Sequence, residues 1–257
     1  MAIHPTAIID SRAHVHAEAA IGPYVVIDGP VKIGRGTRVL PHTTLTGWTE
    51  IGENNEIHSG VVLGDAPQDK NYQGEESYLK IGDHNIVREH VQIHRGTAPG
   101  SSTLIGNHNF LMAGAHVGHN CRLGDHIVIA NGALLGGYAE VENLAFISGH
   151  CVVHQFVRVG ELSLMRGLSG TSRDVPPYSI VDWQHRVRGV NVIGLKRAGF
   201  GEDRIRKVKK AFRILFRKGR NLSLAVQEIE TQGQNSPEVL TLVNFIKCSK
   251  RGVCFGA

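Results

Sequence analysis

Two histidines, His116 and His119, stand three residues apart in the stretch AGAHVGHNC that runs from Ala113 to Cys121. A free imidazole has a pKa near 6.5, so at neutral pH it can accept a proton, and it is also a common metal ligand. A histidine pair of this spacing can therefore serve proton transfer or metal binding, or simply occupy a turn. The choice depends on the backbone that carries the two side chains.

Aliphatic residues recur at every sixth position from Ile3 to Met165. Of the 28 positions in this register, 25 are aliphatic or Met, and the exceptions are Asp69, Glu75 and Pro99. A period of six matches neither an α-helix nor an alternating strand. It predicts short strands wound around a prism, with one aliphatic side chain per strand pointing to the axis. Gly often follows the aliphatic residue, as in IGRGTR and IGENNE, and we expect it to supply positive φ angles at the corners.

This pattern resembles the hexapeptide-repeat family, whose fold is a left-handed parallel β-helix with three hexapeptides per coil. The predicted fold class is therefore mainly β: a β-helix over residues 1–185 followed by a helical C-terminal domain over residues 186–257. The polar, Gly- and Pro-containing segments 64–80 and 94–104 are predicted to be loops that leave the prism, a common location for functional residues.

Charge divides along the same boundary. Residues 1–185 carry 12 Lys+Arg and 18 Asp+Glu, net −6, whereas residues 186–257 carry 16 and 5, net +11. A one-sided basic block is either a solvated helix face or a dock for an acidic partner. The basic face lacks aromatic residues that would stack on bases, so nucleic acid is not the expected partner. The residues predicted to form this face are Arg206, Lys210, Arg213, Arg217 and Arg220.

The four cysteines form no CxxC motif, and Cys121 among them is predicted to be a buried structural thiol. The N-terminus lacks the basic and apolar regions of a signal peptide, and no apolar run is long enough to span a membrane. These features favour a cytoplasmic protein with reduced thiols.

An 18-residue coil places each residue over the one 18 positions later. His119 is then in register with Gly137 and Gln155, His116 lies over Leu134, and His154 adjoins Gln155. A titratable imidazole, a backbone free of side chain and an amide converge in one band along the prism. Such a band could supply a general base, an oxyanion donor and a substrate anchor.

Five motifs in order resemble the family of acyl-[acyl-carrier-protein]–UDP-N-acetylglucosamine O-acyltransferases of lipid A biosynthesis. They are IHRGT (93–97), AHVGHNC (115–121), VHQF (153–156), DVPPY (174–178) and GLKRAGF (194–200). The resemblance implies a homotrimer with active sites between prisms and no cofactor or metal. It also implies transfer of a 3-hydroxyacyl chain from acyl carrier protein to the 3-position of UDP-N-acetylglucosamine, the first step of that pathway.

The same resemblance assigns roles to residues. His119 matches the family's general base, and Gly137 matches its oxyanion donor. Gly167 matches a position that limits acyl-chain length, where the missing side chain leaves room for a longer chain. The residues expected to bind the substrate are Asp69, Lys70, His116, His154, Gln155, Asn191 and Arg197.

Several residues depart from the family's common pattern. Asn120 stands where Asp commonly follows the base, and Tyr138 stands where His commonly follows the oxyanion glycine. Ile193 replaces a common Glu, Ala198 a common Arg, and Asn71 the common Lys of the first loop. These changes leave open a sugar nucleotide whose 3-amino group would be acylated to an amide.

Three other readings remain open from sequence. A γ-class carbonic anhydrase shares the trimeric prism and binds zinc through histidines between subunits. A β-helix that only binds partners would leave the convergence of His119, Gly137 and Gln155 unexplained. The N-acyltransferase that acts later in the pathway usually has an extra N-terminal domain, whereas here the repeat begins at Ile3. The other corner and surface histidines, among them His84, are expected to be turn or stacking residues.

Overall fold

The computed structural model describes residues 2–216 and 221–256. Its strands, in chain order, are β1 Ala2–Ile3, β2 Ile8–Ile9, β3 His14–Val15, β4 Ala20–Ile21, β5 Val26–Asp28, β6 Lys32–Ile33, β7 Arg38–Val39, β8 Thr44–Thr46, β9 Trp48–Ile51, β10 Glu56–Ile57, β11 Val62–Asp65, β12 Tyr78–Ile81, β13 Ile86–Val87, β14 Gln92–His94, β15 Ser102–Ile105, β16 Phe110–Leu111, β17 His116–Val117, β18 Arg122–Leu123, β19 Val128–Ile129, β20 Leu134–Leu135, β21 Glu140–Val141, β22 Phe146–Ile147, β23 Val152–Val153, β24 Arg158–Val159, β25 Leu164–Met165, β26 Gly170–Thr171, β27 Ser179–Asp182, β28 Arg186–Val190 and β29 Phe255–Gly256. Its helices are α1 Val192–Arg197, α2 Glu202–Leu215, α3 Leu222–Thr231 and α4 Pro237–Lys247.

The strands build a three-sided prism, which is the left-handed parallel β-helix expected from the repeat. Up to β26, successive strands pass to successive faces, so that each face is a sheet of every third strand. Strands β27, β28 and β29 extend one of these sheets, and the three sheets have 12, 9 and 8 strands. The pairing is parallel along the coils, and Ala2 pairs with Ala20 and Ile3 with Ile21, an offset of one 18-residue coil. The hairpin of β27 and β28 is antiparallel and ends the prism.

Two loops interrupt the coils at residues 66–77 and 95–101, inside the predicted segments 64–80 and 94–104. One leaves between β11 and β12, and the other between β14 and β15. Across the first loop Ile57 pairs with Val87, and across the second Val87 pairs with Leu111, so the offset grows from 18 to 30 and 24 residues. Both insertions are multiples of six, which is why the aliphatic register continues after each loop.

At the corners of the prism, the structure corrects the role predicted for the glycines that follow the aliphatic residues. Gly34 and Gly106, which follow the aliphatic position, are not the residues of positive φ. A Cβ on either would lie 2.5 Å from the backbone oxygen of the glycine in the next coil, so close coil stacking requires them. The positive φ angles fall two residues later, at φ 56–57° for His84, His108 and His126, whose rings stack with centroids 4.8 Å apart. These three histidines are turn and stacking residues, as expected.

The prism axis holds the aliphatic column that the repeat predicts. Its side chains are buried through successive coils, as at Ile57, Leu111, Ile129 and Ile147, none of which is exposed. Since the apolar residues of one coil contact those above and below, the column fixes the vertical register of all coils. That register positions the candidate site described below.

The C-terminal helices pack on the end of the prism. In α2 the buried side chains are Ile205, Val208, Ala211, Phe212 and Leu215, the amphipathic stripe that the sequence predicts. Helix α4 begins with Pro237 at its first turn after Ser236, although the Ser236 side chain makes no capping hydrogen bond. The chain then returns to the prism, where β29 pairs with β28. No helix among the described residues is both long and apolar enough to cross a membrane.

Candidate active site

A depression of about 400 Å³ lies where β17, β20 and β23 stack on one face of the prism. Strand pairing places His116 beside Leu134 and Leu134 beside Val152, so three coils contribute equivalent positions. The residues after each strand turn the corner and complete the wall. The polar side chains of the lining are Gln68, His94, His116, His119, His154 and Gln155.

His119 contacts Gly137 of the next coil. A Cβ added at Gly137 would lie 2.5 Å from both Cε1 and Nε2 of the imidazole, closer than real Cβ contacts come. The glycine is therefore required for the ring to occupy this place, and the register predicted between the two residues is confirmed. The edge of the ring that carries Cε1 and Nε2 is therefore the part of His119 that contacts Gly137.

The backbone N–H of Gly137 is available to a ligand. The neighbouring Gly136 N–H donates to the Val153 carbonyl at 2.8 Å, and the Tyr138 N–H donates to the His119 carbonyl at 2.9 Å. Among residues 2–216 and 221–256, the Gly137 N–H itself has no protein acceptor. A free N–H beside an imidazole is the geometry of a base next to an oxyanion donor.

His116 lies deeper in the wall, half-buried. Burial lowers its pKa, and the nearby His94 and His119 lower it further, so the neutral imidazole is favoured. The His94 ring tilts against it with centroids 5.2 Å apart. A neutral His116 can donate or accept a hydrogen bond without placing a second positive charge beside the base.

His94 and Gln68 line the depression, although neither was predicted as a site residue from the sequence. Nδ1 of His94 donates to the Ala66 carbonyl at 2.7 Å, and the side chain is buried. Its Nε2 is buried without a hydrogen-bond partner in the described part of the chain. Since the first loop supplies both Ala66 and Gln68, that loop closes one end of the site.

The remaining predicted substrate residues fall into two groups. His154 and Gln155 are exposed at the rim, where Nη2 of Arg251 approaches Nδ1 of His154 at 3.4 Å. Asp69 and Lys70 belong to the first loop but do not line the depression within one chain. The Asp69 carboxylate instead accepts the Asn71 N–H at 3.0 Å.

Asn191, Arg197 and Gly167 also lie away from this lining. Asn191 is buried and caps α1: its Oδ1 accepts the Gly194 N–H at 3.0 Å, and its Nδ2 donates to the Leu162 carbonyl at 2.9 Å. Arg197 is exposed at the last position of α1. Gly167 is exposed, and a Cβ there would meet only the Gly149 carbonyl oxygen at 3.6 Å.

Cys121 is a structural thiol, as predicted. It is buried and donates to the Gly136 carbonyl at 3.2 Å, and burial raises its pKa to about 12. A thiol that stays protonated at neutral pH is a poor nucleophile. Among the described residues, no group of three or more His, Cys, Asp or Glu side chains is arranged to hold a metal ion.

Comparison with known proteins agrees with this fold. The family described as bacterial transferase hexapeptide (six repeats) matches residues 30–65 and 102–137, both within the prism. The family described as UDP N-acetylglucosamine O-acyltransferase, domain 2, matches residues 174–254.

Relatives of nearly full length carry one name. The acyl-[acyl-carrier-protein]–UDP-N-acetylglucosamine O-acyltransferase of Syntrophobacter fumaroxidans is 46% identical over 98% of this chain and 99% of its own. That of Thermodesulfovibrio yellowstonii is 42% identical over 98% of both. The crystal structure of the Francisella novicida UDP-N-acetylglucosamine acyltransferase superposes with a TM-score of 0.94, at 35% identity over 99% of this chain and 94% of that one. The chain belongs to the acyl-[acyl-carrier-protein]–UDP-N-acetylglucosamine O-acyltransferase family, and it is an acyltransferase.

Proposed function

We propose that this protein transfers a 3-hydroxyacyl chain from acyl carrier protein to the 3-hydroxyl of UDP-N-acetylglucosamine, with His119 as general base. The contact of the His119 imidazole with Gly137 carries the proposal, because it sets a proton acceptor beside an unpaired N–H. The names of the nearly full-length relatives support the substrates.

The reaction follows from these two groups. Nε2 of His119 takes the proton of the sugar hydroxyl as its oxygen attacks the thioester carbonyl, which becomes a tetrahedral oxyanion. The Gly137 N–H donates a hydrogen bond to that oxyanion, and such a donor typically contributes about 10²–10³ in kcat. Collapse expels the carrier's thiolate, which recovers the proton from the imidazolium. No covalent enzyme intermediate is required, in keeping with the protonated state of Cys121.

A homotrimer is part of the proposal. Large apolar side chains are exposed on the prism face that carries the depression and at its corners: Leu134, Val152, Phe156 and Leu168. Several large apolar side chains exposed on one face are typical of protein–protein contacts. A neighbouring prism on this face would close the open side of the site. Asn191, Arg197, Asp69 and Lys70, which do not line the depression within one chain, would then contribute from an adjacent subunit.

The carrier protein is proposed to dock on α2. Arg206, Lys210 and Arg213 are exposed on that helix, whereas Arg217 and Arg220 lie outside the described residues. The structure adds a groove of about 960 Å³ between α2 and β28, whose cationic lining comes from Arg188, Arg206, Lys209 and Arg213. Its floor includes Phe212 and Phe216. A basic rim over an apolar floor suits an acidic amphipathic partner.

Analysis of the product identifies the atom of the sugar that accepts the acyl chain. Purified protein is given one 3-hydroxyacyl carrier thioester together with UDP-N-acetylglucosamine, its 3-amino analogue or its 3-deoxy analogue. Mass spectrometry should find acyl transfer to the 3-hydroxyl sugar and none to the 3-deoxy sugar, with the higher specificity constant for the hydroxyl. A strong preference for the 3-amino sugar would reassign the enzyme to amide formation, and transfer to the 3-deoxy sugar would place the acyl group elsewhere.

A further inference from the structure

The second loop brings Thr97 onto the side chain of Asn120. The Thr97 backbone N–H donates to Asn120 Oδ1 at 3.0 Å. A backbone N–H can only donate, so the atom that faces it must be the amide oxygen and not the NH₂ group. Asn120 is itself held in place, since it is buried and its backbone N–H donates to Thr103 Oγ1 at 2.7 Å.

The same amide oxygen faces the candidate base. Nδ1 of His119 lies 3.0 Å from Asn120 Oδ1. Because that oxygen only accepts, Nδ1 must carry the ring proton, which leaves Nε2 of the neutral imidazole unprotonated. Nε2 lies, together with Cε1, on the edge of the ring that contacts Gly137.

We infer that Thr97 and Asn120 are positioning residues that hold His119 in the tautomer able to take the acceptor's proton at Nε2. The inference rests on the proposed function for its catalytic consequence, while the tautomer itself follows from hydrogen-bond directions. It also gives the second loop a role: the loop delivers the donor that fixes the Asn120 amide.

Tyr138 completes the chain of hydrogen bonds. The Thr97 hydroxyl donates to Asn120 Oδ1 at 3.0 Å, so its single proton is used there. The Tyr138 hydroxyl, 3.1 Å from Thr97 Oγ1, must therefore be the donor in that contact. The Tyr138 ring packs edge-on against His119 at 5.3 Å and stacks on Phe156 at 4.9 Å. Asn120 and Tyr138, which both depart from the family's common residues, thus belong to one network through Thr97.

An amide behind the imidazole differs from a carboxylate in charge. Asn120 orients the ring but offers no negative charge to the imidazolium that forms during transfer. The titratable groups that share the depression with His119 are His94, His116 and His154, with Tyr138 against its ring, and none is a carboxylate. Asn120→Asp would place a negative charge 3.0 Å from Nδ1, where it would attract the imidazolium.

Two variants of Asn120 separate orientation from charge. Asn120→Leu removes the acceptor while keeping the volume, and we expect kcat to fall about 10- to 100-fold, part of what a general base supplies, with little change in KM for either substrate. Asn120→Asp keeps the acceptor and should retain kcat near its pH optimum. The acidic limb of its kcat/KM profile should move to higher pH. A kcat for folded Asn120→Leu within about threefold of wild type, or an unmoved acidic limb in Asn120→Asp, would overturn the inference.

The tautomer can be read without any reaction. In ¹⁵N-labelled wild-type protein at neutral pH, the His119 ring signals, assigned by their loss in His119→Ala, should show a proton on Nδ1 and a bare Nε2. In Asn120→Leu a substantial Nε2–H population should appear. Protonated Nε2 in the wild type would overturn the inference even if acyl transfer proceeds. The expected tautomer in a protein that transfers no acyl group would instead count against the proposed function alone.

Discussion

Gly137→Ala tests whether the position of the His119 ring limits the rate. The new methyl group would lie 2.5 Å from Cε1 and Nε2, whereas ordinary contacts begin near 3.4 Å, so the ring must retreat by close to 1 Å. The backbone N–H is retained in alanine, so the oxyanion donor survives. A displacement of about 1 Å at a reacting group can cost about 100-fold, which is the fall in kcat expected here.

The assay is single-turnover transfer from a labelled carrier thioester, with KM measured for both substrates. Gly170→Ala is the matched control, because a Cβ there meets only the Val152 carbonyl oxygen at 3.9 Å, and its kcat should equal that of wild type. In a His119→Ala background, Gly137→Ala should cause little further loss, since the ring it displaces is gone. A Gly137→Ala enzyme with near-normal kcat, or a full additional loss in the double variant, would refute this reasoning.

Three further predictions concern other parts of the molecule. Reversing Arg206, Lys210 and Arg213 to Glu should raise KM for the acylated carrier on the order of tenfold at low salt and leave KM for the nucleotide sugar unchanged. The KM for the carrier should also depend less on salt than in the wild type. Unchanged carrier kinetics would mean that the face is solvated or packs on another subunit. Gly167→Leu should shift the donor preference to a shorter acyl chain in a competition between thioesters, and an unchanged preference would remove Gly167 from the chain pocket. Burial lowers the pKa of His116 below its usual 6.5, so just below pH 6.5 the unfolded chain binds more protons than the folded one, and the free energy of unfolding should fall as pH drops through 6.5. In urea titrations His116→Gln should show a shallower fall. An identical pH dependence in the two proteins would contradict the role given to the burial of His116.

The repeat made the contact between His119 and Gly137 predictable. A fixed coil of 18 residues places His119 at Gly137 from counting alone, because the aliphatic column leaves no freedom to slip a coil. The buried apolar stripe of α2 was also predictable, since one face of an amphipathic surface helix packs against the core.

Residues in the loops could not be placed in this way. Gln68 and Thr97 lie in the two loops, and His94 is the last residue before the second loop. The six-residue register therefore does not predict where their side chains lie. The role of the corner glycines was misjudged because sequence shows a turn but not the distance to the coil above. Likewise, helical periodicity predicted Lys210 on the basic face. The groove between α2 and β28 is lined by Lys209 instead, because the packing of α2 against β28 sets which residues face the groove.

The rate of acyl transfer by His119→Ala tests the central claim most directly. The variant should keep the thermal midpoint and oligomeric state of wild type, since His119 is only partly buried and its loss leaves the aliphatic column intact. Transfer to UDP-N-acetylglucosamine should then fall by about 10²–10⁴, the usual contribution of a general base. Near-normal transfer by the folded variant would contradict the assignment of His119 as the base.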